Sequence, residues 1–258
     1  MIQCGSGVLF QIGSMRFIFT AAHILDLFSV FQFPLYAGAM EKNGRPIRLA
    51  GAEFICSYHD PKLDPKADFE DLRKKDSDPF DSGIIILTDA LADKIGAGRR
   101  FATLDDCDPE TPHNDGLLLV SGFPTEMTNT KIKEKILEIN PLSFLTTFTE
   151  PKTDERSIAM HLKYAWQGVA TDGSEVELPK LDGISGCGVW RLSETKPFEQ
   201  WSLADVKLVG VEHAWIKETR TVLATPIAAP LLLIKREFPK LGWIMEVFLG
   251  KVVHSWTI

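Results

Sequence analysis

Short apolar runs broken by glycine and proline punctuate this chain almost from end to end. The first two, Gly7-Val8-Leu9-Phe10-Gln11-Ile12 and Met15-Arg16-Phe17-Ile18-Phe19-Thr20, flank Gly13-Ser14. Aromatic and β-branched residues on either side of a glycine turn predict a β-hairpin. Gly83-Ile84-Ile85-Ile86-Leu87 has the pattern of a buried strand, and Leu117-Leu118-Leu119-Val120 opens another. Ile158, Met160, Leu162, Tyr164 and Trp166 alternate with Ala159, His161, Lys163 and Ala165. That period of two marks a half-buried strand. Lys207-Leu208-Val209-Gly210-Val211-Glu212-His213-Ala214-Trp215 and residues 221–227 continue the series. Only near the C-terminus does the pattern change. Pro230 followed by Leu231-Leu232-Leu233-Ile234-Lys235-Arg236 fits a helix with proline in its first turn, and residues 242–258 form a tail beyond it. Residues 24–31 fit a helical turn and a strand equally well.

Polar stretches divide the series. Residues 59–81 mix Asp60, Asp64, Asp68, Glu70, Asp71, Asp76, Asp78 and Asp81 with lysines, an arginine and three prolines, the composition of a solvated loop. Residues 88–116 read as a connector: an alanine-rich piece, two glycines, then Pro112-His113-Asn114-Asp115-Gly116. The expected domains are therefore 1–112 and 113–258. With 258 residues, 45% hydrophobic and 24% charged, the chain can fill one large core or two small ones. Its net charge of −7 argues against a sequence-independent grip on phosphate backbones, so no nucleic-acid partner is expected. No apolar run approaches the ~20 residues that cross a bilayer. The N-terminal Met1-Ile2-Gln3-Cys4-Gly5-Ser6-Gly7 shows no basic segment leading into an apolar one. A cytoplasmic protein without a membrane partner is the expectation. Cys4, Cys56, Cys107 and Cys187 are widely spread without a C-x-x-C pair, which predicts reduced thiols.

Candidate chemistry centres on Leu181-Asp182-Gly183-Ile184-Ser185-Gly186-Cys187-Gly188-Val189-Trp190. Three glycines within six positions permit tight or left-handed turns around one serine. Such a loop can expose a hydroxyl while aiming the N–H groups of Gly183 and Ser185 at one point where an oxyanion forms. A serine nucleophile also needs a base and a group to orient it. His23, in Phe17-Ile18-Phe19-Thr20-Ala21-Ala22-His23, supplies an imidazole. Asp81 lies where the polar loop meets the apolar run 83–87; Asp78 is its nearest competitor. Cys187 reads as a small buried hydrophobe. His59, His113, His161 and His254 lack metal-ligand spacing, and neither a metal nor a cofactor is expected.

Thr-Ala-Ala-His after a strand, Asp just before a strand, and Gly-x-Ser-Gly late in the chain resemble the trypsin-like (chymotrypsin-fold) serine peptidases, of the bacterial type without a zymogen N-terminus. The family order of His, Asp and Ser is met at 23, 81 and 185. Gly5-Ser6-Gly7 resembles the segment that leads into the family's first barrel, and Gly122-Phe123-Pro124 the start of its second. The resemblance implies an all-β fold of two six-stranded antiparallel β-barrels with a C-terminal helix. The first barrel would carry His23 and Asp81, the second Ser185. With only 22 residues ahead of His23, the first barrel is allowed to be incomplete.

The resemblance also implies a reaction, the hydrolysis of peptide bonds through an acyl-enzyme. Asp182, Glu212, His213, Ala214 and Trp215 would contact the substrate, bordered by Pro179, Lys180 and Leu181. Trp215 stands where the family often has a small residue, which would restrict access. Ile184 replaces the aspartate that, in the digestive branch, pairs with a newly cut N-terminus. Switching by a regulatory protein partner is the alternative to a constitutively formed site. Two other readings stand beside the peptidase: a peptide-binding module on the same barrels without turnover, and a protease held inactive until a partner binds. An α/β-hydrolase elbow is disfavoured, because Cys187 follows Gly186 and only Asp205 and His213 follow the serine as an acid and base pair.

Overall fold

The computed structural model describes residues 5–25, 36–40, 46–57, 80–109, 116–131, 136–150, 159–193 and 200–250. The predicted hairpin is present as β1 (Val8–Ile12) and β2 (Met15–Ala21), turning at Gly13 and Ser14. A two-stranded ribbon follows, β3 (Tyr36–Met40) with β4 (Pro46–Arg48), and then β5 (Glu53–Cys56) and β6 (Ser82–Leu87). Helix α1 (Asp89–Gly96) occupies the expected connector, with the Thr88 hydroxyl accepting from Leu91 N–H as its N-cap. The second half begins with β7 (Leu118–Gly122), the ribbon of β8 (Thr128–Lys131) and β9 (Ile136–Ile139), and β10 (Leu142–Thr146). Next come β11 (Met160–Lys163), a ribbon of β12 (Gln167–Val169) and β13 (Glu175–Glu177), and β14 (Gly188–Leu192). The long β15 (Val206–Ile216) and β16 (Thr221–Pro226) complete the strands, and α2 (Ala228–Glu237) and α3 (Gly242–Leu249) follow.

Six strands form one antiparallel sheet in the order β10-β7-β14-β15-β16-β11, and four form a second in the order β1-β2-β6-β5. The fold is mostly β with a helical C-terminus, consistent with a chymotrypsin-like pair of barrels. Among the described residues the first sheet has four strands rather than six, with β3 and β4 standing apart as their ribbon. Residues 5–7 extend no strand ladder, because Ser6 spends its hydrogen bonds on the serine loop and on Thr20. The expected boundary at 112/113 lies outside the described residues, as do Asp78, His59, His113 and His254.

Two features of register build the site. In the β2–β6 pair Thr20 faces Gly83 and Ala21 faces Ser82, so His23 and Asp81 leave the same end of neighbouring strands. At the head of β14, Gly188 pairs with both Ser121 of β7 and Val211 of β15, which brings the serine loop against Glu212 and His213. One apolar cluster ties the halves together. Phe10, Phe17, Phe19 and Ile84 of the first sheet share it with Leu208, Val211, Ile227, Leu231 and Ile234 of the second half. Phe10 and Phe19 stack at 4.5 Å between centroids. Burying each such ring contributes about 1.5–3 kcal/mol. A second cluster fills the six-stranded sheet around Leu118, Leu162 and Val189, and a third packs α1 behind the first sheet.

Candidate active site

His23 and Asp81 are joined twice, and a third bond ties Asp81 to the neighbouring Ala22. The His23 backbone N–H donates to Asp81 Oδ1 at 2.9 Å, and His23 Nδ1 lies 2.7 Å from Oδ2. Ala22 N–H in turn donates to the Asp81 carbonyl at 2.9 Å. Asp81 adopts φ +37°, a conformation that costs a non-glycine residue about 1–3 kcal/mol and persists only where surrounding bonds over-determine it. Those three bonds do so from one side. From the other, the Thr225 hydroxyl of β16 donates to the carbonyl of Phe80. With Nδ1–H donating to the carboxylate, Nε2 of His23 is left as the acceptor, and the ring is 46% exposed.

Ser185 sits in a loop that only glycine neighbours permit. Gly186 has φ +94°, and a Cβ there would collide with the Ser6 carbonyl and the Thr20 hydroxyl. Gly183 has φ +91°, and a Cβ there would collide with the Thr125 hydroxyl. The peptides around the serine are held in fixed directions. The Asp182 carbonyl accepts from Thr125 N–H at 2.7 Å, and the Ile184 carbonyl accepts from Cys187 N–H at 2.9 Å. In a trans peptide the N–H points opposite to its own C=O. The N–H groups of Gly183 and Ser185 are therefore aimed away from those two donors.

Ser185 Oγ donates to the His213 carbonyl at 3.5 Å and, among the described residues, makes no hydrogen bond to His23. His213 links the two parts of the site: its Nδ1 stands 3.8 Å from Asp81 Oδ2. His213 thus neighbours both Ser185 and Asp81, with the serine hydroxyl turned toward β15. Nucleophile–base bonds are often long or misaligned without substrate and tighten when it binds.

The residues predicted to contact substrate divide into two groups. Asp182 is exposed, and His213, Ala214 and Trp215 are half-buried along β15, where a bulge at 212–214 turns His213 toward Asp81. Glu212 behaves differently. It is 0% exposed, and neither carboxyl oxygen has a hydrogen-bond partner among the described residues. Its cross-strand neighbour is Ala224, which faces Met160, so the carboxyl belongs to the interior of the second sheet. Burial, and then the charge of Asp81, push its pKa well above the usual carboxylate range. Burial, reinforced by Glu212, likewise pushes the Cys187 thiol up, which disfavours the thiolate a cysteine nucleophile requires.

Trp215 packs edge-on against Trp166 at 5.5 Å and against Tyr164 at 6.1 Å, and the Tyr164 hydroxyl donates to the Pro179 carbonyl. A cavity of about 580 Å³ is lined by Ala165, Trp166, Gln167, Glu177, Leu178 and Arg220, none of them a predicted site residue. Among the described residues no three His, Cys, Asp or Glu side chains are placed to hold a metal ion. No helix among them is long and apolar enough to cross a membrane. Sequence reading missed Ser6, Thr20 and Thr125 as parts of the site. The signal available was Gly5-Ser6-Gly7, which reads as a lead-in segment but turns out to touch the serine loop directly.

No protein-family profile and no curated protein matches the sequence. Solved structures do show similarity. A Glu endopeptidase bound to MPD superposes with a TM-score of 0.46 at 14% identity, covering 91% of this chain and 90% of its own. A serine endoprotease from Yersinia pestis gives 0.42 at 16% identity, covering 92% of this chain and 57% of its own. The NS6 protease of murine norovirus 1 gives 0.36 at 11% identity, covering 87% and 92%.

Proposed function

We propose that this chain is a serine endopeptidase that cuts peptide or protein substrates through an acyl-enzyme on Ser185. The carrying observation is the doubly bonded His23–Asp81 pair, with Nδ1 at 2.7 Å from Oδ2, linked through His213 to a glycine-flanked serine. Ser185 Oγ attacks the scissile carbonyl as His23 Nε2 takes its proton. Asp81 holds the ring and stabilises the imidazolium. The carbonyl oxygen becomes an oxyanion facing the Gly183 and Ser185 N–H groups, each such donor contributing roughly 3–4 kcal/mol. His23 then passes the proton to the leaving amine as the C–N bond breaks, and water repeats the sequence to release the acyl group. No cofactor enters this scheme. Buried cysteines outside any disulfide at Cys56, Cys107 and Cys187 suit a reducing compartment, which supports a cytoplasmic location.

A second reading rests on one observation, that Ser185 Oγ bonds to the His213 carbonyl and not to His23. In it the protein binds peptides without cutting them, or waits for a protein partner to turn the hydroxyl. A fluorophosphonate probe separates these readings. Labelling of the wild type that is abolished in Ser185→Ala and in His23→Ala supports the peptidase. A folded wild type that stays unlabelled overturns constitutive activity, and labelling that then emerges with an added protein identifies the switched form.

A further inference from the structure

Ser6 uses every polar atom it has, and uses them on three separate parts of the chain. Its N–H donates to the Ser185 carbonyl at 2.7 Å. Its carbonyl accepts from the Thr20 hydroxyl of β2 at 2.8 Å. Its hydroxyl donates to the Gly183 carbonyl at 3.3 Å and accepts from Phe123 N–H, beside β7, at 3.1 Å. One donor proton and one lone pair are thereby matched, as a serine hydroxyl requires. The contact is close as well as polar, since the Ser6 carbonyl occupies the space a side chain at position 186 would need.

We propose that Ser6 is a positioning residue for the nucleophile loop, fixing the peptide planes on both sides of Ser185. The Gly183 carbonyl belongs to the peptide before Ile184 and the Ser185 carbonyl to the peptide before Gly186. Ser6 holds both, while Thr125 and Cys187 hold the two peptides whose N–H groups the peptidase reading assigns to the oxyanion. Four consecutive peptides, from Asp182 to Gly186, therefore have their rotation set by bonds from outside or across the loop. The two that Ser6 holds are tied to the first sheet through Thr20. A loop fixed in this way keeps its donors aimed before substrate arrives, which is where oxyanion stabilisation draws its strength. The link also couples the sheet that carries His23 to the loop that carries Ser185.

This inference rests on the peptidase reading for its kinetic consequence but not for its structural one, and the test uses both. Ser6→Ala removes the two hydroxyl bonds and leaves the backbone bonds in place; Ser6→Thr restores a hydroxyl. In Ser6→Ala, kcat should fall about tenfold or more with KM little changed, as a small misplacement of reacting groups does. Affinity for a peptide boronic acid, which mimics the tetrahedral state, should fall by the same factor, while affinity for a product peptide holds. Ser6→Thr should recover most of the loss. Amide exchange of residues 183–187 should quicken in Ser6→Ala whether or not the protein cuts peptides. Unchanged exchange in that loop overturns the inference. So does an active wild type whose Ser6→Ala variant loses melting temperature alone, with kcat and boronate affinity intact. A wild type inert toward every substrate, with exchange quickened by the substitution, removes the peptidase reading and leaves the strap standing.

Discussion

Glu212 should make stability depend on pH. Its carboxyl is buried without a hydrogen bond among the described residues, and its pKa is raised by burial first and by Asp81 second. An acid whose folded pKa lies above its unfolded value of about 4.3 contributes stability below that value and loses it as pH rises toward the folded one. Wild type should therefore weaken relative to Glu212→Gln above pH ~4.5, by up to ~1.4 kcal/mol per pH unit. Urea unfolding of both proteins at pH 4.5, 6 and 8 measures this; a constant difference would show that the carboxyl does not titrate with folding. Asp81 calls for a different substitution. Asn tolerates positive φ, so Asp81→Asn should keep the fold while replacing one of the two oxygens that bond His23 with a donor. The imidazole then loses its proper tautomer, and turnover should fall about 10³–10⁴-fold at neutral pH. Measured kcat near wild type would remove Asp81 from the mechanism. At this scale His23, Asp81 and Ser185 were legible as candidates because their side chains announce their chemistry. It concealed Ser6 and Thr125, which act largely on carbonyls through groups that nearly every residue possesses.

Elements were legible where pattern and burial agree. The hairpin of β1 and β2, the isoleucine-rich β6 and the long β15 all read directly from apolar runs bounded by turns, because each has a face sealed by the cores described above. Helix α1 was legible only as an alanine-rich connector, being eight residues long with just Ala92 and Ile95 buried. Helix α3 reads as a tail in sequence for the opposite reason. Trp243 and Val247 are exposed while Met245 and Leu249 are buried, so apolar residues lie on both faces and no stripe marks a period. The bulge at 212–214 left no sequence trace, yet it is what sends Glu212 inward and lets His213 face Asp81. Alternation alone assigns faces along a strand, and one extra residue reverses every assignment beyond it.

For the molecule as a whole, the core shared between the sheets decides cooperativity. Phe19 is fully buried in it, stacked on Phe10 and in one cluster with Leu208 and Val211. Phe19→Ala should destabilise by about 3–5 kcal/mol and lower a single calorimetric transition. Two separate transitions, only one of them shifted, would show that the halves melt independently. The turn-rich stretch before residue 117 suggests two halves, but the shared packing of Phe10 and Phe19 with Val211 and Ile234 was not legible, since contacts so distant in sequence leave no local period. Distance along the chain has one further consequence. Ser6 and Gly183 are 177 positions apart. At about 5–20 residues per second, a ribosome needs roughly 10–35 s to span that interval. Throughout it Ser6 has been made and its loop has not, so the link cannot form while the intervening strands are being synthesised. Closure of that link therefore comes only after every strand lying between its two ends has been made.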